Sequence, residues 1–187
     1  MTATRWLPWA LVGLAIVVWA VPLQIGFYTH SPITDIPVYR EAADRMLDGL
    51  VPYRDFFLEY PPLAAGLFGA VGLVPGNYTA VFQVAMAACL CATVLGVLAA
   101  ARALGLSVLR QAAAGAAVAV SPLLIGNLVE TRFDLAVAAV LAWTLYAAVA
   151  GRFRLMWGLL AVAVLLKIVP LVLVPLLVLH QRRRQDL

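Results

Sequence analysis

The sequence predicts an all-α, polytopic helical membrane protein: about six transmembrane helices and an external loop that carries an amphipathic interfacial helix. Three observations lead there. Hydrophobic residues make up 65% of the chain and charged residues 12%, against about 25% charged in a soluble domain. Mean hydropathy is +0.99, and long apolar runs recur along all 187 residues. The acids, by contrast, are gathered in one place. Of the nine carboxylates, Asp35, Glu41, Asp44, Asp48, Asp55 and Glu59 all fall between Thr34 and Pro62. An oily protein that collects its acids in one loop points to recognition or chemistry at that membrane face.

The first apolar run, 7–27, follows Arg5. It is longer than a signal-peptide core and long enough to span, at roughly 20 residues. The acidic loop occupies 28–62. Within it, Ile36, Tyr39, Ala43, Met46, Leu47 and Leu50 fall on one helical face, and Arg40, Glu41, Asp44, Arg45 and Asp48 on the other. That pattern suits a helix lying at the interface with its apolar face in the headgroup boundary. Gly49 and Pro52 are expected to end it. Tyr60-Pro61-Pro62 then enforces an extended approach to a short apolar block at 63–75, read as a re-entrant or juxtamembrane helix. Further crossings are expected at 78–104, 108–126, 133–150, 155–167 and 169–180. The last two form a hairpin broken at Lys167 and Pro170.

The arginines set the expected orientation. Arg5, Arg102 with Arg110, Arg152 with Arg154, and Arg182, Arg183 and Arg184 mark cytoplasmic ends. Both termini are then inside, in a cell (inner or plasma) membrane. The acidic loop, residues 127–134 (NLVETRFD) and Lys167 all emerge on the external side. That shared side predicts a shared site.

Asp35 follows the first crossing. Near the membrane surface its carboxylate is a usable general base; Asp is equally favoured as the N-cap of the helix at 36. Asp55 and Glu59 flank Phe56, Phe57 and Tyr60, an arrangement that suits sugar binding or an interfacial aromatic belt. Arg132 and Asp134 suit a phosphate and a hydroxyl, or a local ion pair. Glu130 beside them is expected to be solvated. Lys167 is the sole lysine and interrupts an apolar run, where a cation costs about 2.5–3.5 kcal/mol at a helix centre. It suits the phosphate of a lipid-linked substrate, or snorkelling to the interface. His30 and His180 read as interfacial. Cys89 and Cys91 read as small apolar-face residues, and no metal-ligand spacing, nucleophile elbow or phosphate-binding loop is present in the sequence. The charge pattern does not suggest nucleic acid.

The ordered set Asp35-x-x-x-Tyr39, Gly49-x-x-Pro52-Tyr53, Glu59-Tyr60-Pro61-Pro62-Leu63, Arg132-Phe133-Asp134 and Lys167-x-x-Pro170 resembles the N-terminal part of a GT-C type polytopic glycosyltransferase. It is most similar to the bacterial polyprenyl-phosphate-mannose-dependent mannosyltransferase-like family. The resemblance implies that Asp35 is the catalytic base, deprotonating an acceptor hydroxyl that displaces a polyprenyl phosphate with inversion. It implies substrate contacts from Tyr39, Arg40, Tyr53, Glu59, Tyr60, Arg132, Asp134 and Lys167. The implied partners are a polyprenyl-phosphate sugar donor, a lipid or glycan acceptor and membrane lipids, usually with no tightly bound cofactor. Members of that family are longer, so the chain is expected to lack a C-terminal part, whether as a truncated product, a partial gene or one half of a split enzyme whose second chain supplies the rest. A non-catalytic lipid-carrier-binding subunit or a transporter fragment is the competing expectation.

Overall fold

A computed structural model describes residues 3–21 and 34–185. The end of the 7–27 run and His30 lie outside the described residues, which are helical with no strand among them. The elements are α1 (Ala3–Ala20), α2 (Ile36–Leu47), α3 (Pro62–Gly72), α4 (Tyr78–Ala103), α5 (Val108–Ala119), α6 (Ser121–Ile125), α7 (Leu128–Thr131), α8 (Asp134–Val149), α9 (Phe153–Leu166), a 3-10 turn (Val169–Leu173) and α10 (Val174–Gln185).

Among the described residues only α4 is long and apolar enough to cross a membrane alone; α1, α3, α5, α8 and α9 are shorter apolar helices. α4 is the spine of the fold. It packs against α1, α5 and α8 and buries Phe82, Met86, Leu90, Val94 and Leu98. Asn77 starts it, its side chain accepting from Ala80 N–H at 3.1 Å. Gly105, at φ +69°, ends it. Along the α4–α8 seam, a Cβ at Gly96 would stand 2.9 Å from Ala142 Cβ, so the missing side chain is what lets the two backbones approach. Trp143 Nε1 donates to Ala92 O at 3.1 Å across the same seam. The free Cys89 and Cys91 are half-buried on α4.

α2 ends in a Schellman motif. Leu50 N–H donates to Arg45 O and Gly49 N–H to Met46 O, both at 3.0 Å, with Gly49 at φ +89°. Its amphipathic face is as the periodicity predicts at Ile36, Tyr39 and Ala43, which are buried. That face is covered by protein rather than by headgroups. Tyr39 stacks on Phe68 of α3 with ring centroids 4.3 Å apart, and Gly72 of α3 approaches Ala43 closely. Leu47 and Leu50, at the far end, stay exposed.

Two expected spans are subdivided. The 108–126 run breaks between α5 and α6, where Pro122 has no amide hydrogen to continue the helix. The 169–180 run begins as the 3-10 turn before α10 takes over. The break between α9 and that turn falls at Lys167, whose backbone is extended (φ −153°, ψ 133°). The α9–α10 hairpin is tied by Trp157 Nε1, which donates to Gln181 Oε1 at 2.7 Å. His180 is not merely interfacial, since its Nε2 lies 3.1 Å from Ala148 O.

Candidate functional site

The site is organised by three consecutive residues, Arg132, Phe133 and Asp134, between α7 and α8. Arg132 has an extended backbone (φ −128°, ψ 147°), so successive side chains leave the chain in different directions. Arg132 reaches Asp35, with Nε 3.4 Å from Oδ2. The pair is in ion-pair range without being hydrogen-bonded. Asp134 opens α8 and pairs with Lys167 Nζ through Oδ1. Phe133 sits between them, 1% exposed. Its ring meets Tyr39 edge-on at 5.6 Å and Tyr60 edge-on at 5.4 Å, and Lys167 Nζ lies 5.5 Å from its centroid, within cation–π range. Two ion pairs thus flank one aromatic box. Segments 97 and 35 residues apart in sequence (132 − 35 and 167 − 132) meet there.

Asp35 occupies the N-cap position of α2, but its side chain does not cap the helix. Thr34 Oγ1 accepts from Ile36 N–H at 3.3 Å instead. The Asp35 carboxylate is therefore free to accept from the Tyr39 hydroxyl at 3.3 Å and to face Arg132. It keeps about a third of its side-chain surface. Burial, then the neighbouring Tyr60 and Asp35, hold the Tyr39 phenol far above its ordinary range, so it stays a donor. Burial, with Asp35 and Glu59 close by, raises the Tyr60 phenol as well.

Other expected site residues take different places. Glu59 is exposed beside Tyr60. Tyr53 is held at φ +67°, an uncommon conformation for a non-glycine residue, and its hydroxyl donates to Tyr60 O. Its role here is to close the 51–60 loop, with Tyr53 N–H donating to Phe56 O at 2.9 Å. Asp55 is also spent on that loop. It accepts from Val51 N–H at 2.8 Å and pairs with Arg54; the Arg54 guanidinium and the Val51 amide hold its carboxyl below the usual range. Arg40 points away from the aromatic box, with Nε 3.7 Å from Asp44 Oδ2.

Glu130 corrects the expectation of a solvated acid. It is 3% exposed, and its Oε1 has no hydrogen-bond partner. Burial pushes its carboxyl up to about 7. A four-residue helix such as α7 is too short to show a periodicity, so nothing in the sequence marked Glu130 as inward. α7 lies in the turn between two apolar helices, and its acid has a consequence for stability. The folded state holds the proton to higher pH than the unfolded chain, which releases it near 4.5. Stability from this group is therefore full below that value, falls as pH rises towards 7, and is constant above. Glu130→Gln should raise the unfolding temperature at pH 8 and flatten its slope between pH 5 and 7, by at most roughly 3 kcal/mol. Thermal unfolding of the detergent-solubilised proteins measures this; an unchanged slope would mean that Glu130 does not titrate as a buried acid.

Beside the Lys167–Asp134 pair opens a groove of about 430 Å³. Asp134 and Lys167 form its charged end. Val137, Leu141, Val169 and Leu173 line the remainder. One end suits an anion and the rest suits hydrocarbon.

The family model of glycosyltransferase family 87 matches residues 57–186. The chain belongs to glycosyltransferase family 87. No curated protein and no solved structure matches it. The matched span takes in Glu59, Tyr60, Arg132, Asp134 and Lys167 of this glycosyltransferase; Asp35, Tyr39, Arg40 and Tyr53 precede it. Family membership, together with the apolar α4, makes the protein a membrane glycosyltransferase that takes a sugar donor and an acceptor.

Proposed function

We propose that this family 87 glycosyltransferase moves mannose from a polyprenyl-phosphate donor to an acceptor hydroxyl at the external membrane face, with Asp35 as general base. The observation that carries the reading is the meeting of Asp35, Arg132, Asp134 and Lys167 around one aromatic box, with the apolar groove leading from Lys167. Asp35 removes the acceptor proton. The acceptor oxygen attacks the anomeric carbon, and the carbon–oxygen bond to the lipid phosphate breaks with inversion. Negative charge grows on the departing phosphate, where cations help most. Arg132, whose ion pair is long and half-exposed, and Lys167 supply them. The polyprenyl chain lies along Val137, Leu141 and Val169 in the groove. Tyr39 holds the base, and Tyr60 and Glu59 form the sugar side of the box.

About six crossings with both termini cytoplasmic bring this site to the external face. The arginine distribution supports that orientation, and each short apolar helix has neighbours to compensate for its length. The donor class is tested with the purified chain in liposomes. Radiolabelled polyprenyl-phosphate mannose should be consumed and a nucleotide-linked mannose should not. Consumption of the nucleotide sugar alone would overturn the lipid-linked reading.

A further inference from the structure

A second cavity, of about 310 Å³, lies between α2, the end of α3 and the start of α4. Its lining includes Arg40, Asp44, Gly76, Asn77 and Tyr78. The volume is at the lower end of small-ligand pockets, but the chemistry differs from the Lys167 groove. Here a guanidinium, a carboxylate and a primary amide converge, while the Tyr78 hydroxyl is spent on Phe68 O at 3.4 Å. Gly76, at φ +127°, makes the turn that brings Asn77 to the cavity wall. Asn77 spends its carbonyl oxygen on the Ala80 amide, which leaves the two amide hydrogens to donate. Arg40 and Asp44 are 3.7 Å apart on successive turns, a weak exposed pair that leaves donors and acceptors over.

We infer that this cavity is a carbohydrate-binding subsite for a neutral, polyhydroxylated ligand, separate from the aromatic box. An anion would meet the Asp44 carboxylate, a cation would meet Arg40, and an apolar ligand would leave the spare donors and acceptors of Arg40, Asp44 and Asn77 unused. A sugar satisfies both signs, since each hydroxyl donates to Asp44 and accepts from Arg40 or Asn77. Nine residues of helix separate Asp44 from Asp35, roughly 13 Å at the α-helical rise. At about 100° per residue the two carboxylates leave opposite faces of α2, so this cavity and the aromatic box are separate sites. For its ligand class the inference rests on the glycosyltransferase reading above, and its test needs no turnover.

The test is saturation-transfer NMR on the purified chain in detergent with methyl α-mannopyranoside and, separately, inorganic phosphate. The variants are Asp44→Ala and Asn77→Asp, the latter keeping an acceptor for the Ala80 amide while removing the amide donor. Wild type and Asp35→Asn should bind the glycoside alike. Asp44→Ala and Asn77→Asp should weaken it by about tenfold or more, and phosphate should not displace it. No glycoside signal from folded wild type, a signal that survives both substitutions, or displacement by phosphate would each overturn the subsite. Glycoside binding through Asp44 by a chain that transfers no sugar would count against the transferase mechanism and leave the subsite standing.

Discussion

Asp35→Asn should abolish the proposed mannose transfer while leaving the chain inserted and folded. The amide keeps the shape of the carboxyl group and can still accept from the Tyr39 hydroxyl, which donates to Asp35 at 3.3 Å. It cannot take a proton from an acceptor hydroxyl. General-base removal of this kind costs about 10²–10⁴ in rate. The fold should tolerate the change, because α2 does not use this side chain as its cap and the Arg132 contact is not hydrogen-bonded. The expected result is a collapse of kcat with apparent donor affinity little changed, read in membranes expressing equal amounts of each protein. A variant that loses transfer only because it fails to accumulate would say nothing of catalysis, so the unfolding temperature is measured beside it.

Lys167→Met has the second large effect and a different signature. Lys167 ends α9 in an extended conformation and is held by Asp134 and the face of Phe133. Methionine keeps the apolar stem that lines the groove and removes the charge. In the proposed mechanism both the bound donor phosphate and the departing one would lose a cation. Donor KM should rise and kcat should fall, the rate by about 10²–10³ if Lys167 stabilises the leaving oxygen as an oxyanion-hole donor would. Lys167→Arg should recover part of the loss, since it restores charge with a different geometry. A rise in KM without any change in kcat would confine Lys167 to ground-state binding.

Much of this site is legible in the sequence because its residues are costly where they stand. A lone lysine in an apolar run, or an acid just past a long apolar run, has few cheap explanations. The Gly49 stop and the Lys167–Pro170 break are equally local, since each depends on backbone chemistry of one or two residues. What the sequence does not reveal depends on long-range packing. Phe68 is one apolar residue among many in its run, yet it stacks on Tyr39 and completes the aromatic box. Glu130 looks like any polar turn residue until α7 turns it inward. Asp55 and Tyr53 sit in a motif suggestive of sugar binding, but their hydrogen bonds hold the loop. The apolar face of α2 predicts burial correctly without saying whether lipid or α3 covers it. Arg40 has the same charge as Arg132 and lies close to Asp35 in sequence, but its side chain lines the far flank of the helix.

The central claim is that one carboxylate in the external loop drives sugar transfer from a lipid phosphate. Its most direct measurement is single-turnover discharge of radiolabelled polyprenyl-phosphate mannose, with purified wild type and Asp35→Asn compared in the same liposomes. The account predicts label leaving the lipid donor for the acceptor with wild type and remaining on the donor with Asp35→Asn. Discharge by Asp35→Asn at the wild-type rate would contradict it.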